Sequence, residues 1–300
     1  MMRIIDNLKT AIQAALVAGF AMTAAGAAAA QDIKVGGKDF TEQFLLAEMT
    51  TQLLGKNGFT VSKRDGMGTN IVRAALENGE VDVYWEYTGT ALVNFNKITD
   101  RLTPDETYRI VKEKDAERGI TWLSPSRANN TYALAIRRDN PKTDGMASLS
   151  DLAAAYNAGK DPVMATTAEF PKRQDGLLGL QETYGFEAGR RNIRPMEIGL
   201  VFPALQNGDV DLAVVAATDG RIAAMDLALL DDDRHFFPDY ALVPTIRSDV
   251  LEANPRLGEL LDQLSAKLDD ATMQQLNGEI DVRKKSIEEV AVAFLASNGL

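Results

Sequence analysis

The chain has 300 residues, of which 45% are hydrophobic, and a formal net charge of −11 at pH 7. This acidic balance argues against nucleic acid as a partner, because a protein that neutralises phosphates needs a basic surface. The chain has no cysteine, which excludes disulfides, thiolate metal sites and a cysteine nucleophile. It has one histidine, His235.

The first 30 residues have the pattern of a secretory signal peptide. Two basic residues, Arg3 and Lys9, accompany an almost wholly apolar run at 11–25, and residues 28–30 form a small-residue cleavage site. The apolar run is too short for a comfortable membrane span. A core helix over the same residues is the alternative. We expect residues 1–30 to be removed and the remaining chain to be periplasmic in a diderm bacterium.

Strands and helices are predicted to alternate at the start of the remaining chain. The pair Gly36-Gly37 is expected to end the first strand, and Asp39 or Thr41 can cap the helix that follows. The order strand, helix, strand, helix, strand indicates a parallel sheet covered by helices. The expected elements are strand 33–35, helix 41–54, strand 59–63, a turn at 66–70 and a helix that runs into the segment 75–83.

A second alternating set is predicted after a helix that starts near Pro104 and ends at Gly119. Ser150 is a candidate cap for a short helix at 151–156. No low-complexity linker divides the chain, which favours two lobes joined by crossing strands over independent domains. The further expected elements are extended segments at 122–125, 132–136, 162–166 and 240–246, a helical stretch within 173–184, and several helices within 254–295.

One segment occurs twice. The sequence ALENGEVDV at 75–83 recurs as ALQNGDVDL at 204–212. Each copy predicts a helix that ends at Asn-Gly and is followed by a short apolar strand. The match is either a coincidence of a common local motif or the mark of two similar lobes. In ungapped alignment Tyr87 falls opposite Ala216, and ligands of open α/β sheets bind at such strand ends.

Aromatic and charged side chains gather at the predicted loops. Ring faces attract an alkylated ammonium, whereas lysine and arginine bind a carboxylate, so the combination indicates a site for a zwitterion. Taken singly, each ring can instead be half-buried packing and each charge a surface charge. The residues concerned are Phe40, Tyr84, Trp85, Tyr87, Tyr132 and Tyr240, with Lys38, Thr90, Asn130, Arg173 and Asp219 beside them.

Sequence signatures of catalysis and of metal binding are missing. No GxSxG, SxxK, HExxH or P-loop pattern occurs. His235 is interpreted as a surface or capping residue, and residues 231–233 as a solvated acidic turn, because the spacing of a Ca²⁺ loop is missing. We therefore predict no catalytic residue, no bound metal and no cofactor. An enzyme on a bilobal scaffold is the rival hypothesis, and a sensor module is a third.

Four motifs in order resemble the substrate-binding proteins of ABC importers for glycine betaine, choline and related osmoprotectants. They are GKDFTEQ at 37–43, EYTGT at 86–90, EFPKRQDG at 169–176 and TDGRI at 218–222. The resemblance covers 32–300 and is nearest to the osmoprotectant-uptake branch of low apparent affinity. It implies an α/β, two-lobed periplasmic binding protein fold of type II, with two crossing strands between the lobes.

The resemblance also implies partners, lobes and a site. The partners would be a betaine-like ligand and an ABC permease with its ATPase. The protein itself would be a monomer. Lobe 1 would comprise 31–134 and 242–300, and lobe 2 would comprise 135–241. The implied aromatic cage consists of Tyr87, Tyr132 and Tyr240. The ligand carboxylate would be held by Lys38, Thr90 and Arg173, and Asn130 would line the pocket. The expected set of ten site residues is completed by Phe40, Ala216 and Asp219.

At one position the chain departs from the family pattern. Well-known members carry a fourth cage tyrosine two residues before Thr-Asp-Gly, and here that residue is Ala216. A ring over a quaternary ammonium is worth about 0.5 to 2 kcal/mol, so its loss predicts betaine binding roughly 2- to 30-fold weaker. The alternative is that Ala216 makes room for a bulkier ligand such as carnitine or ergothioneine.

Overall fold

Two five-stranded mixed sheets organise the chain from Ile33 to Leu300. The computed structural model describes residues 32–100 and 102–300, so the predicted signal peptide at 1–30 lies outside the described residues. Apolar clusters cover both faces of each sheet. The helices are Thr41–Lys56, Thr69–Glu77, Pro104–Ala116, Leu149–Asn157, Leu177–Tyr184, Ile198–Asn207, Arg221–Ala224, Ser248–Ala253, Arg256–Ser265, Asp270–Asp281 and Ile287–Ser297, with a π-helical turn at Thr90–Phe95.

The two sheets share one strand arrangement. The strands are β1 Ile33–Lys38, β2 Val61–Met67, β3 Val83–Tyr87, β4 Ile120–Trp122, β5 Tyr132–Arg137, β6 Met164–Thr166, β7 Ile193–Pro195, β8 Leu212–Ala216, β9 Leu227–Leu229 and β10 Leu242–Arg247. In the first sheet the order is β2-β1-β3-β10-β4, and in the second it is β7-β6-β8-β5-β9. In each sheet three parallel strands are followed by a fourth strand that is antiparallel to both of its neighbours.

The repeated segment forms the same local structure in both sheets. Each copy ends its helix at a glycine with positive φ, 75° at Gly79 and 79° at Gly208, and continues into the middle strand of its sheet. Asp82 Oδ2 accepts a backbone N–H from β1 at 2.9 Å, and Asp211 Oδ2 accepts one from the residue before β6 at 2.8 Å. The match is therefore a duplicated supersecondary unit.

The chain passes between the sheets twice, at 123–131 and at 230–241. These connections lie side by side, because the Asn130 N–H donates to the Tyr240 carbonyl at 3.2 Å. The predicted α/β fold with two lobes is confirmed. The predicted boundary between 134 and 135 falls inside β5, whose first residue, Tyr132, already pairs with Ala216 in the second sheet. The division into lobes at those residues stays a prediction.

The prediction that Gly36-Gly37 ends the first strand is wrong. β1 continues through it to Lys38, and the pairing with β2 shifts register between Gly36 and Lys38. A Cβ atom on Gly36 would lie 2.7 Å from the Val81 side chain, so the small residue serves close packing here. Likewise β2 extends to Met67, into the predicted turn.

Two predicted helix caps are also wrong. The first helix begins at Thr41 itself, and neither Asp39 nor Thr41 forms the cap that was expected. The short helix of the second set is capped by Ser148 instead of Ser150. Ser148 and Asp151 form a reciprocal capping box, which satisfies the first backbone donors of the helix.

The left-handed glycine of the second repeat gives a stability prediction. We expect Gly208→Ala to lower the free energy of unfolding by about 1 to 2 kcal/mol, because an L residue is strained at this positive φ. Gly199 lies in the same helix, without a positive φ and with no atom within 4 Å of an added Cβ. Gly199→Ala should therefore not destabilise. Urea unfolding measures both, and equal losses would contradict this account.

Candidate ligand-binding site

A cavity of about 450 Å³, here called the main pocket, lies between the two sheets at the ends of their strands. Lys38, Tyr87 and Ala216 are the last residues of β1, β3 and β8. Antiparallel β5 begins at the same edge with Tyr132. Of the ten predicted site residues, nine line this pocket: Lys38, Phe40, Tyr87, Thr90, Asn130, Tyr132, Arg173, Ala216 and Tyr240.

Aromatic rings form much of the pocket wall. The centroids of Tyr132 and Tyr240 are 5.4 Å apart in an edge-to-face pair, and Phe170 lies 5.2 Å from Tyr132 on another side. Phe40 stacks beside Tyr87 at 6.3 Å. Such packing fixes ring orientation, because each ring is held by its neighbours instead of by the ligand. The wall thus offers preformed ring faces.

The first cation of the pocket is held by a buried carboxylate. Lys38 Nζ lies 2.5 Å from Glu86 Oε1 and 4.7 Å from the centroid of the Tyr87 ring. Tyr84 donates its hydroxyl to the other Glu86 oxygen at 2.8 Å. Burial lowers the pKa of the Lys38 ammonium from its ordinary value, and the attraction of Glu86 opposes the shift.

The second cation forms a matching cluster. Arg173 Nε donates to Asp175 Oδ1 at 2.7 Å, and its Nη2 donates to the other oxygen of the same carboxylate. The hydroxyl of Tyr240 also donates to Asp175 Oδ2, at 2.7 Å. Thr90 Oγ1 lies 3.4 Å from Arg173 Nη2, which links the segment that follows β3 to the segment that follows β6. Burial, and after it the Asp175 charge, raise the pKa of Tyr240 well above its ordinary value, so this ring stays neutral.

A buried carboxylate, Glu42, connects the pocket to both sheets without a cationic partner among the described contacts. Its Oε1 accepts from the Tyr87 hydroxyl and from Asn130 Nδ2, both at 2.8 Å. Its Oε2 accepts from the Thr218 hydroxyl at 2.6 Å and from Asn277 Nδ2 at 3.1 Å. Burial raises the pKa of Glu42, and these four donated bonds oppose the shift.

Glu42 gives a prediction for stability against pH. A carboxyl whose pKa is higher in the folded state contributes stability below its unfolded pKa, about 4.3, and loses it as pH rises through the folded value. We expect the stability of the wild type relative to Glu42→Gln to fall as pH rises from about 4 towards neutrality. Urea unfolding over that range measures the difference.

Glu48, in the same helix, supplies the control for this measurement. Partial burial alone would raise its pKa, but the hydrogen bonds from Lys63, at 2.6 Å, and from Gln52, together with the charge of Lys63, outweigh burial and lower the pKa. The wild type should therefore gain stability relative to Glu48→Gln as pH rises. Slopes of the same sign for the two variants would contradict the assigned role of Glu42.

The tenth predicted residue, Asp219, lies in an adjoining cavity of about 240 Å³, here called the side pocket. Its carboxylate accepts from Arg221 Nε at 2.9 Å and from Nη2 at 2.6 Å. The Arg221 guanidinium carbon lies 4.1 Å from the centroid of the Phe202 ring. Asp219 is thus engaged by its own neighbour, away from the aromatic cage. The side pocket shares Phe40 and Ala216 with the main pocket.

The sequence reasoning missed the carboxylates that hold the site together. Glu42, Glu86 and Asp175 lie inside the quoted motifs, which was the available signal, but none was selected as a site residue. No pattern in the sequence pointed to Asn277, which lies in a helix near the carboxyl end of the chain. The predicted surface position of His235 agrees with its exposure in the structure.

Two further features bear on the class of site. Within the described residues, no group of three or more histidine, cysteine, aspartate or glutamate side chains is arranged to hold a metal ion. Over residues 32–100 and 102–300, no helix combines the length and the apolar character needed to cross a membrane.

Comparison with known proteins gives a consistent result. A family described as the substrate-binding domain of ABC-type glycine betaine transport systems matches residues 31–297. A glycine-betaine-binding protein of Pseudomonas aeruginosa is 40% identical over 92% of this chain and 91% of its own. The glycine betaine-binding protein YehZ of Escherichia coli is 34% identical over 90% of this chain and 92% of its own.

A solved structure agrees with these relatives. The crystal structure described as a glycine betaine/carnitine/choline ABC transporter superposes with a TM-score of 0.71 at 28% identity, covering 89% of this chain and 99% of the other. Fold, site position and sequence similarity thus agree. The chain belongs to the family of substrate-binding domains of ABC-type glycine betaine transport systems.

Proposed function

We propose that this protein is a periplasmic solute-binding protein that captures a zwitterionic quaternary ammonium compound of the glycine betaine type and delivers it to an ABC permease. The observation that carries the proposal is the main pocket itself. Neutral tyrosine rings and two buried cations, Lys38 and Arg173, line one cavity of about 450 Å³. Two relatives, one of Pseudomonas aeruginosa and one of Escherichia coli, are named as binding proteins for glycine betaine.

The two ends of such a ligand need different surroundings. A trimethylammonium group has no hydrogen to donate, so ring faces and dispersion must hold it, which Tyr87, Tyr132 and Tyr240 can supply. A carboxylate needs charged donors. The Lys38 ammonium carries three N–H groups, and its bond to Glu86 leaves donors for a ligand. Arg173 can likewise bind a second anion while Asp175 keeps it in position.

We infer that binding involves no chemical reaction. The two cations that line the main pocket are engaged in structural pairs, Lys38 with Glu86 and Arg173 with Asp175. A bilobal enzyme would need an activated nucleophile or a cofactor. The bound compound should therefore be recovered unchanged after incubation, which mass spectrometry of the released ligand can check.

Calorimetric titration tests the ligand assignment. The purified protein would be titrated with glycine betaine, choline, proline betaine, carnitine and ergothioneine in separate experiments. We expect saturable binding of at least one zwitterion of this set. If none of the five produces a binding isotherm, the assignment to quaternary ammonium ligands is wrong.

Ala216 supports a prediction about affinity. Ala216→Tyr adds a ring to the wall of the pocket that Tyr87 also lines, and a ring over a quaternary ammonium contributes about 0.5 to 2 kcal/mol. We therefore expect glycine betaine to bind roughly 2- to 30-fold more tightly. Ala216→Leu is the control, since it adds bulk without a ring face. An unchanged glycine betaine affinity in Ala216→Tyr would contradict the cage geometry.

A further inference from the structure

The side pocket opens off the main pocket at the position where the repeat carries alanine. Ala216, Phe40 and Asn130 line both cavities. A larger residue at 216 would project into the space between them, since this residue ends β8 at the pocket edge. The small side chain therefore connects the proposed ligand site to a second space of about 240 Å³.

Two residues that line the side pocket, Asn130 and Asn277, carry buried amide oxygens that have no hydrogen-bond donor among the described residues. The hydrogen bonds that each side-chain nitrogen donates fix the orientation of its amide group. Asn277 Nδ2 donates to Glu42 and to the Thr218 carbonyl, both at 3.1 Å, and the Asn277 residue is only 4% exposed. A rotated amide would put its oxygen against these two acceptors.

Buried acceptors without a donor destabilise a structure until a partner reaches them. Two such oxygens beside one cavity therefore define the chemistry of a group that fits there: it must carry an O–H or an N–H. The charges agree with this choice. Among the described residues, the side pocket is lined by one cation, Arg221, and by five acidic residues, which disfavours an acidic ligand group; they are Asp39, Glu42, Glu197, Asp219 and Asp281.

We propose that the side pocket is a subsite for a hydrogen-bond-donating branch of the ligand, a hydroxyl or N–H substituent on a betaine. The inference rests on the proposed function, because the ammonium and carboxylate ends occupy the main pocket. A substituent between those ends is the part that can pass Ala216. Glycine betaine has neither a branch nor a donor, so it leaves both amide oxygens without a partner.

Two matched pairs of ligands test the subsite, each differing by one hydroxyl group. The first is N,N,N-trimethylserine against N,N,N-trimethylalanine, and the second is carnitine against γ-butyrobetaine. Calorimetric titration of the whole protein gives the affinity ratio within each pair, with glycine betaine as reference. We expect the hydroxylated member of at least one pair to bind about 10-fold more tightly. Equal affinities in both pairs overturn the subsite.

Variants test whether the Asn277 amide oxygen accepts a hydrogen bond from the ligand hydroxyl group. Asn277→Leu removes one acceptor, and Ala216→Leu obstructs the passage; each should bring the ratio towards one. Asn192→Leu is the matched control, since the Asn192 amide oxygen is also buried without a donor but lines neither cavity. The ratio should be unchanged in Asn192→Leu. A hydroxyl preference that survives in both Asn277→Leu and Ala216→Leu overturns the assignment.

Titration with glycine betaine, the reference ligand, distinguishes failure of the subsite from failure of the proposed function. If glycine betaine binds and both pairs show ratios of one, the subsite is wrong and the proposed function stands. If none of the four compounds and none of the five ligands titrated to test the proposed function binds, the proposed function is wrong and so is the subsite.

Discussion

Replacing Arg173 with methionine is expected to weaken glycine betaine binding by roughly 100-fold, with a much smaller loss for choline. Removing one partner of a desolvated charge pair costs about 2 to 5 kcal/mol, or roughly 30- to 5,000-fold in affinity. Arg173 is buried and belongs to the proposed carboxylate subsite. Choline has no carboxylate, and the uncompensated Asp175 beside Tyr240 would favour a cation. The ratio of glycine betaine affinity to choline affinity should therefore be lower in Arg173→Met than in the wild type.

The stability of this variant must be measured beside its affinity. Arg173→Met leaves the buried Asp175 carboxylate with the neutral Tyr240 hydroxyl as its remaining side-chain donor in this cluster, at a cost of about 3 to 5 kcal/mol. The double variant Arg173→Met with Asp175→Asn removes that unpaired charge and should recover stability without recovering glycine betaine affinity. Calorimetry and urea unfolding of both variants separate the two effects.

Arg221 offers a matched control for Arg173. It also forms a two-pronged pair with an aspartate two residues away, Asp219, but it lies in the side pocket. Arg221→Met should leave the preference between glycine betaine and choline close to that of the wild type. If Arg173→Met weakens both ligands by the same factor, Arg173 does not bind the carboxylate.

The duplicated unit was accessible from sequence because its causes are local. Asn-Gly at a helix end and the apolar strand that follows depend on neighbouring residues, so both copies could be recognised and Tyr87 aligned with Ala216. Of the aromatic residues predicted to gather near strand ends, Phe40, Tyr87, Tyr132 and Tyr240 line the main pocket, whereas Tyr84 and Trp85 lie inside β3 and are buried in the core. Errors occurred where tertiary packing decides, as at Gly36, where the nearby Val81 requires a glycine inside a continuing strand.

Two of the pairings that hold the site together could not be predicted, because each joins distant parts of the chain. Glu86 meets Lys38 across 48 positions, and Asn277 meets Glu42 across 235. A sequence pattern gives the residue type but not which of many acidic residues lies beside a given lysine. Asp219 illustrates the converse: its motif pointed to the site, yet the nearby Arg221 binds its carboxylate.

The pairing of Lys38 with Glu86 leads to the second large effect. Lys38→Met should lower the free energy of unfolding by about 3 to 5 kcal/mol, because it leaves the fully buried Glu86 without its cation. Glycine betaine binding should also weaken, by roughly 10- to 100-fold, through loss of a charged donor to the ligand carboxylate. Urea unfolding and calorimetric titration measure the two quantities separately.

A double variant separates the structural role of Lys38 from its role in binding. Lys38→Met with Glu86→Gln removes both charges and should recover much of the stability, since replacing a whole buried pair is nearly neutral. Glycine betaine affinity should stay low. Arg73→Met is the matched control, because Arg73 and Asp115 form another buried ion pair, at 2.6 Å, outside both pockets. It should lower stability and leave affinity unchanged; recovery of affinity in the double variant would show that Lys38 acts only through the fold.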